Sequence, residues 1–406
     1  MKSIYMYLSG TIFCLMISLQ AAAQLSPYDL NKPIGFGEKT TGGTGGRNVT
    51  VTTRTELSNA LKTSGKAVIY IKGAIEVSSM LKVAATNKTI LGLPGSYLYN
   101  ENRTRSGSGI LYLSSGSNNV IIRNLTFKSA GAYDVDGNDN LCIDKATNIW
   151  VDHCDFQDGV DGNFDCKNAS DNIAVTWCRF RYLIATQAGG SGGSDDHRFS
   201  NLWGSSDSST GDRNHLNTTF QFCLWENCAG RMPRVRFGKV NLINCYYNPK
   251  AGAKTVQCGN ESSFYIENCV FSGKQNPWYD YTNNSTFKVT ESGSLFTNCT
   301  RPSDMGTGTA FTPNYATAIS AIPATDVEEA VKGTYGAGAT LTVTENEGVV
   351  TPPESGIGTT ETTEMEVVKT EYYTISGMKL QEPQKGLTIV RYTMKDGSVK
   401  SKKIIF

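Results

Sequence analysis

The stretch Asn148-Ile-Trp-Val-Asp-His-Cys-Asp-Phe156 decides the fold of this chain, because variants of it recur along the sequence. The second clear copy is Asn172-Ile-Ala-Val-Thr-Trp-Cys-Arg-Phe180. Each copy has apolar residues at its fourth and usually its second position, then Asn, His or an aromatic residue at the sixth. Leu or Cys follows at the seventh position and an aromatic residue at the ninth. The other copies are Asn119–Phe127, Asn217–Trp225, Lys239–Tyr247 and Ser263–Phe271.

The pattern within each copy predicts two short strands joined by a one-residue corner. Apolar positions change from even to odd after the sixth residue, and Asn tolerates the left-handed backbone that such a corner requires. Successive copies lie roughly 22 to 29 residues apart, with one gap of about 45 that predicts an extra loop around Ala185–Arg213. This period is typical of a parallel β-helix with one turn per repeat. Leucine-rich repeats share the period, but their Leu-x-x-Leu-x-Leu signature is missing.

The N-terminal region differs in character from the repeats. Met1-Lys2, the apolar run Ile12–Leu19 and the small residues Ala21-Ala22-Ala23 predict a secretory signal peptide over residues 1–23, because the apolar run is too short to span a bilayer. We therefore expect a secreted protein, whether extracellular, periplasmic or on the cell surface. A helix is predicted around Thr55–Lys62, where it would cover the first turn of the repeat stack.

A linker and a second small domain are predicted after the repeats. The β-helix domain is expected over residues 24–348, followed by a polar linker of Pro, Gly, Thr and Glu at 349–363. Residues 364–406 alternate apolar and polar side chains, which predicts a small β-rich module. Its segments Tyr373–Lys379 and Pro383–Gly386 resemble the C-terminal sorting domains of secreted Bacteroidetes proteins. An ordinary accessory module that acts on carbohydrate is the alternative.

Charge and composition exclude several classes of partner. The chain has 38 Lys and Arg residues against 37 Asp and Glu residues, so its net charge attracts neither nucleic acid nor an anionic membrane. Only three histidines are present, which counts against a His-ligated zinc site or a His-based triad. We expect a monomer with no nucleic-acid partner and no membrane span, whose attraction to any anionic ligand is local.

Five cysteines share the seventh repeat position and are predicted to stack inward on rungs about 4.8 Å apart. Such a column is a ladder of small buried residues if the thiols stay reduced, although its spacing also permits disulfides in an oxidising compartment. A metal site is disfavoured because no Cys-x-x-Cys pair or His partner accompanies them. The five are Cys154, Cys178, Cys223, Cys245 and Cys269.

Three aspartates are predicted to converge on the outer face of two neighbouring turns. Counted back from the start of each repeat, Asp161 and Asp165 flank the position beside Asp139, each two residues away. Residues two apart on a strand share a face, so these carboxylates would repel one another unless a cation neutralises them. Ca²⁺ suits such a site because its oxygen coordination is flexible. An acidic surface cluster that holds no ion is the alternative.

Arginines cluster in the segment Arg231-Met-Pro-Arg-Val-Arg-Phe-Gly238. By the same counting, Arg231 lies on the face or edge that carries the aspartates, further along the stack. Three guanidinium groups on a proline-stiffened strand suit a substrate with a negative charge on every unit. A solvated basic strand, with its charges paired to Asp and Glu elsewhere, is the alternative.

In combination these motifs resemble the pectate lyases that fold as right-handed parallel β-helices. Arg231, Pro233 and Arg236 match the family's Arg-x-Pro-x-x-Arg segment, and Ile149–His153 matches the strand that leads into its Trp-x-Asp-His motif. The segment Asp161-Gly-Asn-Phe-Asp165 matches its calcium-binding Asp-x-x-x-Asp motif. The resemblance covers most of the chain between the signal peptide and the linker.

The resemblance implies a role for each matched residue. Arg231 is expected to be the catalytic base, and Arg236, together with Arg234, is expected to bind substrate carboxylates. The predicted calcium ligands are Asp139, Asp161 and Asp165. Asp152 and His153 are interpreted as structural, because a His at a corner of the stack is more often hydrogen-bonded scaffold than a catalytic group.

One departure from the family pattern concerns a lysine. Members commonly carry a substrate-binding Lys five residues before the Gly of a Leu-Ile-Gly-x-Ser-Asp segment. The segment is matched here by Asn201–Asp207, but Phe199 occupies the Lys position. The neighbouring Arg198 is expected to take over the contact with a substrate carboxylate.

The resemblance implies a secreted lyase that cleaves polygalacturonate by calcium-assisted β-elimination and leaves 4,5-unsaturated oligogalacturonides. A pectin lyase or a polygalacturonase-type hydrolase on the same fold is one alternative. The hydrolase requires paired carboxylates and has Asn-Thr-Asp, Asp-Asp and Gly-His-Gly segments, of which the chain has only Asp195-Asp196. A non-catalytic, glycan-binding β-helix is the other alternative.

Overall fold

A computed structural model describes most of the chain and divides it into two compact units, residues 1–351 and 352–406. The predicted signal peptide and nearly all of the predicted linker lie outside the described residues. The described residues are 32–133, 137–190, 195–284, 286–317, 319–349, 367–374, 378–383, 387–394 and 399–405.

Three parallel sheets build the first unit, and each turn of the chain contributes one strand to each of them. This is the predicted parallel β-helix, so the fold prediction is confirmed. Sheet one has the strands Arg47–Val51, Ala67–Ile71, Thr86–Gly92, Asn118–Arg123, Thr147–Asp152, Asp171–Thr176, Thr218–Gln221, Lys239–Ile243, Ser263–Glu267 and Lys288–Ser292. Sheet two has the strands Ala74–Glu76, Tyr97–Tyr99, Thr126–Lys128, Asp155–Gln157, Arg179–Arg181, Leu224–Glu226, Tyr246–Asn248, Val270–Ser272 and Leu295–Thr297. Sheet three has the strands Leu81–Val83, Leu111–Leu113, Leu141–Asp144, Phe164–Lys167, Leu202–Trp203, Arg234–Val235, Ala253–Cys258 and Gln275–Asp280.

The corner between sheet one and sheet two has the predicted left-handed backbone. The residue at the sixth repeat position has a φ between 46° and 54° in all six copies. Asn is the most favourable residue there because its short polar side chain tolerates this region. The six corner residues are Asn124, His153, Trp177, Phe222, Asn244 and Asn268.

Two ladders of side chains fill the interior beside this corner. Aromatic rings at the ninth repeat position stack in parallel, for example Phe156 on Phe180 with 5.1 Å between ring centroids. The thiols at the seventh position are buried and free, and each approaches a carbonyl of the preceding turn, as Cys178 Sγ does at 3.5 Å from the oxygen of Val151. The five cysteines at the seventh position therefore form the ladder of reduced thiols, and no disulfide joins the described cysteines.

Asp152 and His153 belong to a buried network of hydrogen bonds at the end of the strand Thr147–Asp152. The carboxylate of Asp152 accepts hydrogen bonds from Arg123 Nε at 2.6 Å and Thr176 Oγ1 at 2.6 Å, and lies 2.9 Å from His153 Nδ1. Burial raises the pKa of Asp152, but the charges of His153 and Arg123 outweigh it and the pKa is lowered. These contacts support the structural interpretation of both residues.

Two helices cover parts of the stack. The helix Arg54–Lys62 begins with a capping box between Thr53 and Glu56 and buries Leu57 and Leu61 against the first turns, as predicted for this region. The helix Ala324–Lys332 packs Val327 and Val331 against the outer face of sheet two. The short 3₁₀ helices are Gly35–Gly37 and Thr210–Asp212, and a two-strand ladder pairs Val343–Thr344 with Gly348–Val349.

The second unit is a four-stranded antiparallel sheet, which agrees with the predicted small β-rich module. Its strands are Val367–Tyr373, Lys379–Leu380, Leu387–Met394 and Val399–Ile405. Within the described part of the chain, no helix has the length and apolar character needed to cross a membrane.

Candidate active site

The candidate site occupies the outer face of sheet three. In the strand Phe164–Lys167, Phe164 and Cys166 point into the core, so Asp165 and Lys167 point outward. The pairing of neighbouring strands places Asp165 in a single outward row that crosses all eight strands of sheet three. In order the row is Lys82, Tyr112, Cys142, Asp165, Leu202, Arg234, Gln257 and Tyr279.

The register of the carboxylates differs from the prediction by one residue. Leu141 pairs with Phe164, which sets Gly162 beside Asp139. Counting from the repeats put Asn163 there instead. The reason is a difference in turn length: two residues separate the strands after Asp144, and three separate them after Lys167. Asp139 and Asp161 also lie in corners that precede the strands, so strand alternation does not orient their side chains.

Asp139 and Asp165 nevertheless face the same small space. A side-chain carbon built on Gly162 would lie 2.7 Å from Asp139 Oδ1 and 3.0 Å from Asp165 Oδ1. Asp139 is 7% exposed, and its Oδ1 is buried without a hydrogen-bond partner among the described residues. Asp165 Oδ1 accepts a hydrogen bond from the amide of Leu202 at 3.0 Å. Because Gly162 has no side chain, it leaves room beside two carboxylates whose oxygens have few hydrogen-bond partners.

Burial and mutual repulsion make these carboxylates hard to ionise. Burial, then the charges of Asp165 and Asp161, raise the pKa of Asp139 well above its usual range. Burial and Asp161 raise the pKa of Asp165 to about 7, against the opposing effects of Arg231, the Leu202 amide and Lys167. A cation bound here would remove the repulsion and favour the ionised forms.

Asp161 has a partner of its own. Its Oδ1 lies 2.8 Å from Nε2 of His197. In the described residues, no group of three His, Cys, Asp or Glu side chains is arranged as a ready metal site. The expected convergence is therefore partial: Asp139 and Asp165 share the space beside Gly162, and Asp161 acts on them through its charge while it contacts His197.

Arg231 lies at the end of the turn that enters the next strand of sheet three. Its backbone is left-handed, with a φ of 56°, and its carbonyl accepts a hydrogen bond from the amide of Asn201 at 2.7 Å. The guanidinium carbon lies 4.6 Å from the ring centroid of Phe199, and Nε is buried without a hydrogen-bond partner among the described residues. Its charge acts on both Asp139 and Asp165. The structure thus brings Arg231 and the carboxylates into one site.

Of the other two arginines of the segment, Arg234 lies in the strand Arg234–Val235 and Arg236 directly follows it. Arg234 donates a hydrogen bond to Gln257 and lies 4.5 Å from the ring centroid of Tyr281. Burial and the charge of Arg231 lower the pKa of Arg234 to about 10. Arg236 is bound to Asp207 Oδ1 at 2.5 Å and to the carbonyl of Gly204 at 2.6 Å, so part of its hydrogen-bonding capacity is used.

Arg198 is held by other groups. Its Nε and Nη2 contact the two carboxylate oxygens of Asp196 at 2.7 Å and 2.9 Å, and Nη1 donates to Asn227 at 2.6 Å. Lys250 binds the same carboxylate. The expected contact of Arg198 with a substrate carboxylate stays a prediction, and it requires these bonds to be exchanged.

Sequence reasoning missed three residues of the site. His197 binds Asp161, and Phe199 supports Arg231 with its ring. Lys167 balances the carboxylates: burial lowers its pKa, but Cys142, Tyr112 and the two aspartates outweigh burial and raise it. The Asp-x-Lys spacing of Asp165 and Lys167 was a usable signal, since residues two apart on a strand share a face. The spacing of Phe199 from Gly204 placed it at a substrate-binding position but did not predict its contact with Arg231, and no spacing signal connects His197 to the site because it lies in the long loop.

Comparison with known proteins identifies the family of the chain. A pectate lyase family model matches residues 7–340 of the chain. A probable pectate lyase B of Aspergillus terreus is 32% identical over 281 residues, which cover 63% of this chain and 78% of the relative. A pectate trisaccharide-lyase of Thermotoga maritima is 32% identical over 255 residues, covering 58% of this chain and 62% of the relative.

Solved structures share the fold. A pectate lyase bound to a hexasaccharide superposes with a TM-score of 0.60 at 23% identity, covering 78% of this chain and all of the other. A pectate lyase from Bacillus sp. N165 in complex with trigalacturonate gives 0.60 at 21% identity, covering 76% of this chain and 99% of the other. With the family model spanning most of the sequence, the chain belongs to the pectate lyase family.

Proposed function

We propose that this chain cleaves polygalacturonate by calcium-assisted β-elimination at the outer face of sheet three. The enzyme class, a pectate lyase acting on polygalacturonate, follows from family membership. One observation carries the mechanism: Arg231, with a buried Nε that has no partner among the described residues, adjoins carboxylates whose pKa is raised by burial and repulsion.

Asp139 and Asp165, with Asp161 beside them, are the residues that would hold Ca²⁺. The fit rests on the buried, unpartnered Oδ1 of Asp139 and on the space beside Gly162. When bound, Ca²⁺ supplies positive charge that neutralises a uronate carboxylate and makes the adjacent C5 proton more acidic. Asp161 would reach this space by exchanging its contact with His197.

Arg231 acts as the base in this proposal. It takes the proton from C5, the C4–O bond breaks, its electrons leave with the oxygen, and the C5–H electrons form the C4–C5 double bond. The departing oxygen takes a proton from water. Phe199 holds the guanidinium group from one side. Because arginine is protonated over most of the accessible pH range, a base of this kind predicts an alkaline optimum.

The outward row of sheet three supplies the path for the substrate. Arg234, Gln257 and Tyr279 follow one another on consecutive turns, about 4.8 Å apart. Arg236 lies beside this row and can offer Nη2 to a carboxylate, because its hydrogen bonds to described residues use Nε and Nη1. These cations select a polymer that is charged on each unit over a methylated one.

The ends of the chain fit secretion. The signal peptide proposed at residues 1–23 would direct export, and the β-rich module from residue 364 would act as a sorting domain after the linker at 349–363. Export of the full-length chain, and its retention in the cytoplasm after deletion of residues 1–23, would test the first assignment.

Product analysis separates the proposal from its alternatives. We expect ultraviolet absorbance to rise in step with new chain ends during polygalacturonate digestion, because elimination creates a conjugated double bond. Chain ends without absorbance would identify a hydrolase, and methylated pectin cleaved faster than polygalacturonate would identify a pectin lyase. Binding without new ends would identify a glycan-binding protein.

A further inference from the structure

A cavity of about 410 Å³ lies on the turns that join sheet three to sheet one, on the side away from the candidate active site. Its walls come from these turns, from the outer face of sheet one and from the segment at residues 309–311 that crosses it. Neither Arg231 nor the aspartates of the candidate active site line it. This volume is in the range of pockets that bind small ligands.

The floor of the cavity is a row of three residues on sheet one. Strand pairing aligns Lys239, Ser263 and Lys288 on consecutive turns, so the two lysines lie roughly 10 Å apart. Their neighbours Val240 and Val289 point into the core, which directs the row outward. Ser263, between the two lysines, is 8% exposed and is covered on one side by the segment at residues 309–311, so the open part of the cavity is a slot beside the two lysines.

Positive charge dominates this slot. Arg213 faces the lysines from the turn and binds Glu261 through Nε at 2.8 Å and Nη2 at 2.5 Å. The hydrogen bond from Arg213 is the main reason that the pKa of Glu261 is lowered; burial opposes it, and Lys288 contributes. Glu261 is therefore ionised, and three cations face one carboxylate. In a chain with 38 basic and 37 acidic residues, this is a local excess of two positive charges.

Two aromatic rings border the cations. Phe237 lies beneath Arg213, with 5.6 Å from the guanidinium carbon to the ring centroid. Phe311 is held by its amide, which donates to Ser263 Oγ at 3.0 Å, and by ring contacts with Phe36 at 5.8 Å and Tyr265 at 6.5 Å. The wall is thus already formed. Apolar ring faces next to cations suit a ligand that has both C–H surfaces and carboxylates.

We propose that this cavity is a second, non-catalytic binding site for an acidic oligosaccharide, with the carboxylates of one or two uronate units facing Lys239 and Lys288. The identity of the sugar as galacturonate rests on the proposed function. A polymer bound here and in the groove of sheet three is held at two points, so the second site increases the local concentration of substrate.

Calorimetry with trigalacturonate tests the site in the full-length Arg231→Ala protein, with Ca²⁺ present. We expect two binding events, and we expect the Lys239→Gln/Lys288→Gln pair to weaken one of them at least tenfold. The matched control is Lys66→Gln/Lys274→Gln, which removes two exposed lysines outside the cavity and should keep both events. Trimethyl trigalacturonate, whose carboxylates are esterified, should not show the binding event that the Lys239→Gln/Lys288→Gln protein (the cavity variant) loses.

The outcomes separate this proposal from the proposed function. A single event that the cavity variant abolishes supports the cavity site and contradicts binding in the groove. Two events that persist in the cavity variant, or a single event that it retains, would overturn the second site. Equal binding of the trimethyl ester at the cavity would overturn its acidic ligand. Because Lys239 and Lys288 are exposed, we expect the cavity variant to keep the melting temperature of its parent. When the same two substitutions are made in the active enzyme, we expect a raised KM on polygalacturonate and an unchanged rate on trigalacturonate.

Discussion

The two faces of the strand Phe164–Lys167 differ in whether their side chains repeat from turn to turn. Phe164 and Cys166 face inward, where they join columns of uncharged side chains that repeat turn after turn. Asp165 and Lys167 face outward, and each is balanced by groups from other turns and corners. The inner face is therefore periodic and the outer face is unique at each turn. Changes on the inner face should cost stability, and changes on the outer face should cost activity.

The largest effect is expected from Arg231. Replacing it by Ala or Lys should lower the initial rate on polygalacturonate by about 100-fold or more, because proton transfer by a positioned base contributes this much. The melting temperature should stay within a few degrees of the parent, since Arg231 binds no carboxylate directly among the described residues. Arg301→Ala, which removes the half-exposed ion-pair partner of Glu291 at a distance from the site, is the control for activity. Activity above about a tenth of the parent in either variant would contradict the assignment.

The opposite outcome is expected from the middle of the aromatic column. Phe180 is fully buried and stacks between Phe156 and Trp225, so Phe180→Ala should lower the free energy of unfolding by about 3–5 kcal/mol. The rate at a temperature where the variant stays folded should change little. Urea unfolding and rate assays on the same sample check both. A folded variant with a loss of activity like that of Arg231→Ala would show that the two faces are not separable.

Replacing one carboxylate should show which outward-facing side chains bind calcium. Asp165→Asn should raise the Ca²⁺ concentration needed for half activity roughly tenfold or more, because each lost charge weakens an oxygen site for calcium. Calcium titrations of the initial rate measure the change. Asp326→Asn, on the helix Ala324–Lys332, should leave the titration unchanged. Matching curves for all three proteins would remove Asp165 from the calcium site.

The same carboxylates predict how stability depends on pH in the absence of calcium. The pKa of Asp165 is raised from 3.8 to about 7 in the folded state, so between these values the folded protein keeps a proton that the unfolded chain has lost. Stability should therefore fall as pH rises from about 4 to about 7. Urea midpoints in chelator should decrease over this range, and the decrease should be smaller in Asp165→Asn. A midpoint that rises in both proteins over this interval would contradict the repulsion between these carboxylates.

The smallest effect is expected from the second unit. Ending the chain after Pro352 should leave the melting temperature and the rate of the β-helix unchanged, because the polar linker offers little apolar surface for a shared interface. Circular dichroism and the polygalacturonate assay test this. Aggregation or a lost rate in the shortened protein would contradict the proposed division.

The periodic part of the molecule was predictable from sequence because one backbone geometry repeats. Left-handed corners such as Asn124 and Asn244, the inward column of cysteines and the stacked rings all follow from positions within the repeat. Each of these features depends only on which residue occupies which repeat position.

The site was predictable in its residues and less so in its geometry. An extra residue in the turn after Lys167 shifted the register beside Asp139, and strand alternation does not apply to corner residues such as Asp161. The contacts of Phe199 and His197 come from a loop whose path follows no repeat. Side-chain directions at corners and loops depend on local packing, which a repeat pattern does not contain.

The central claim is that one outer face carries a calcium-dependent β-eliminating site, and reversal by metal tests it most directly. Polygalacturonate digestion by the full-length chain should be followed by ultraviolet absorbance in excess chelator, before and after addition of Ca²⁺ or Mg²⁺. We predict no rise in chelator, a full return with Ca²⁺ and a weaker return with Mg²⁺, whose octahedral demand fits this open site poorly. An undiminished rise in excess chelator would contradict the account.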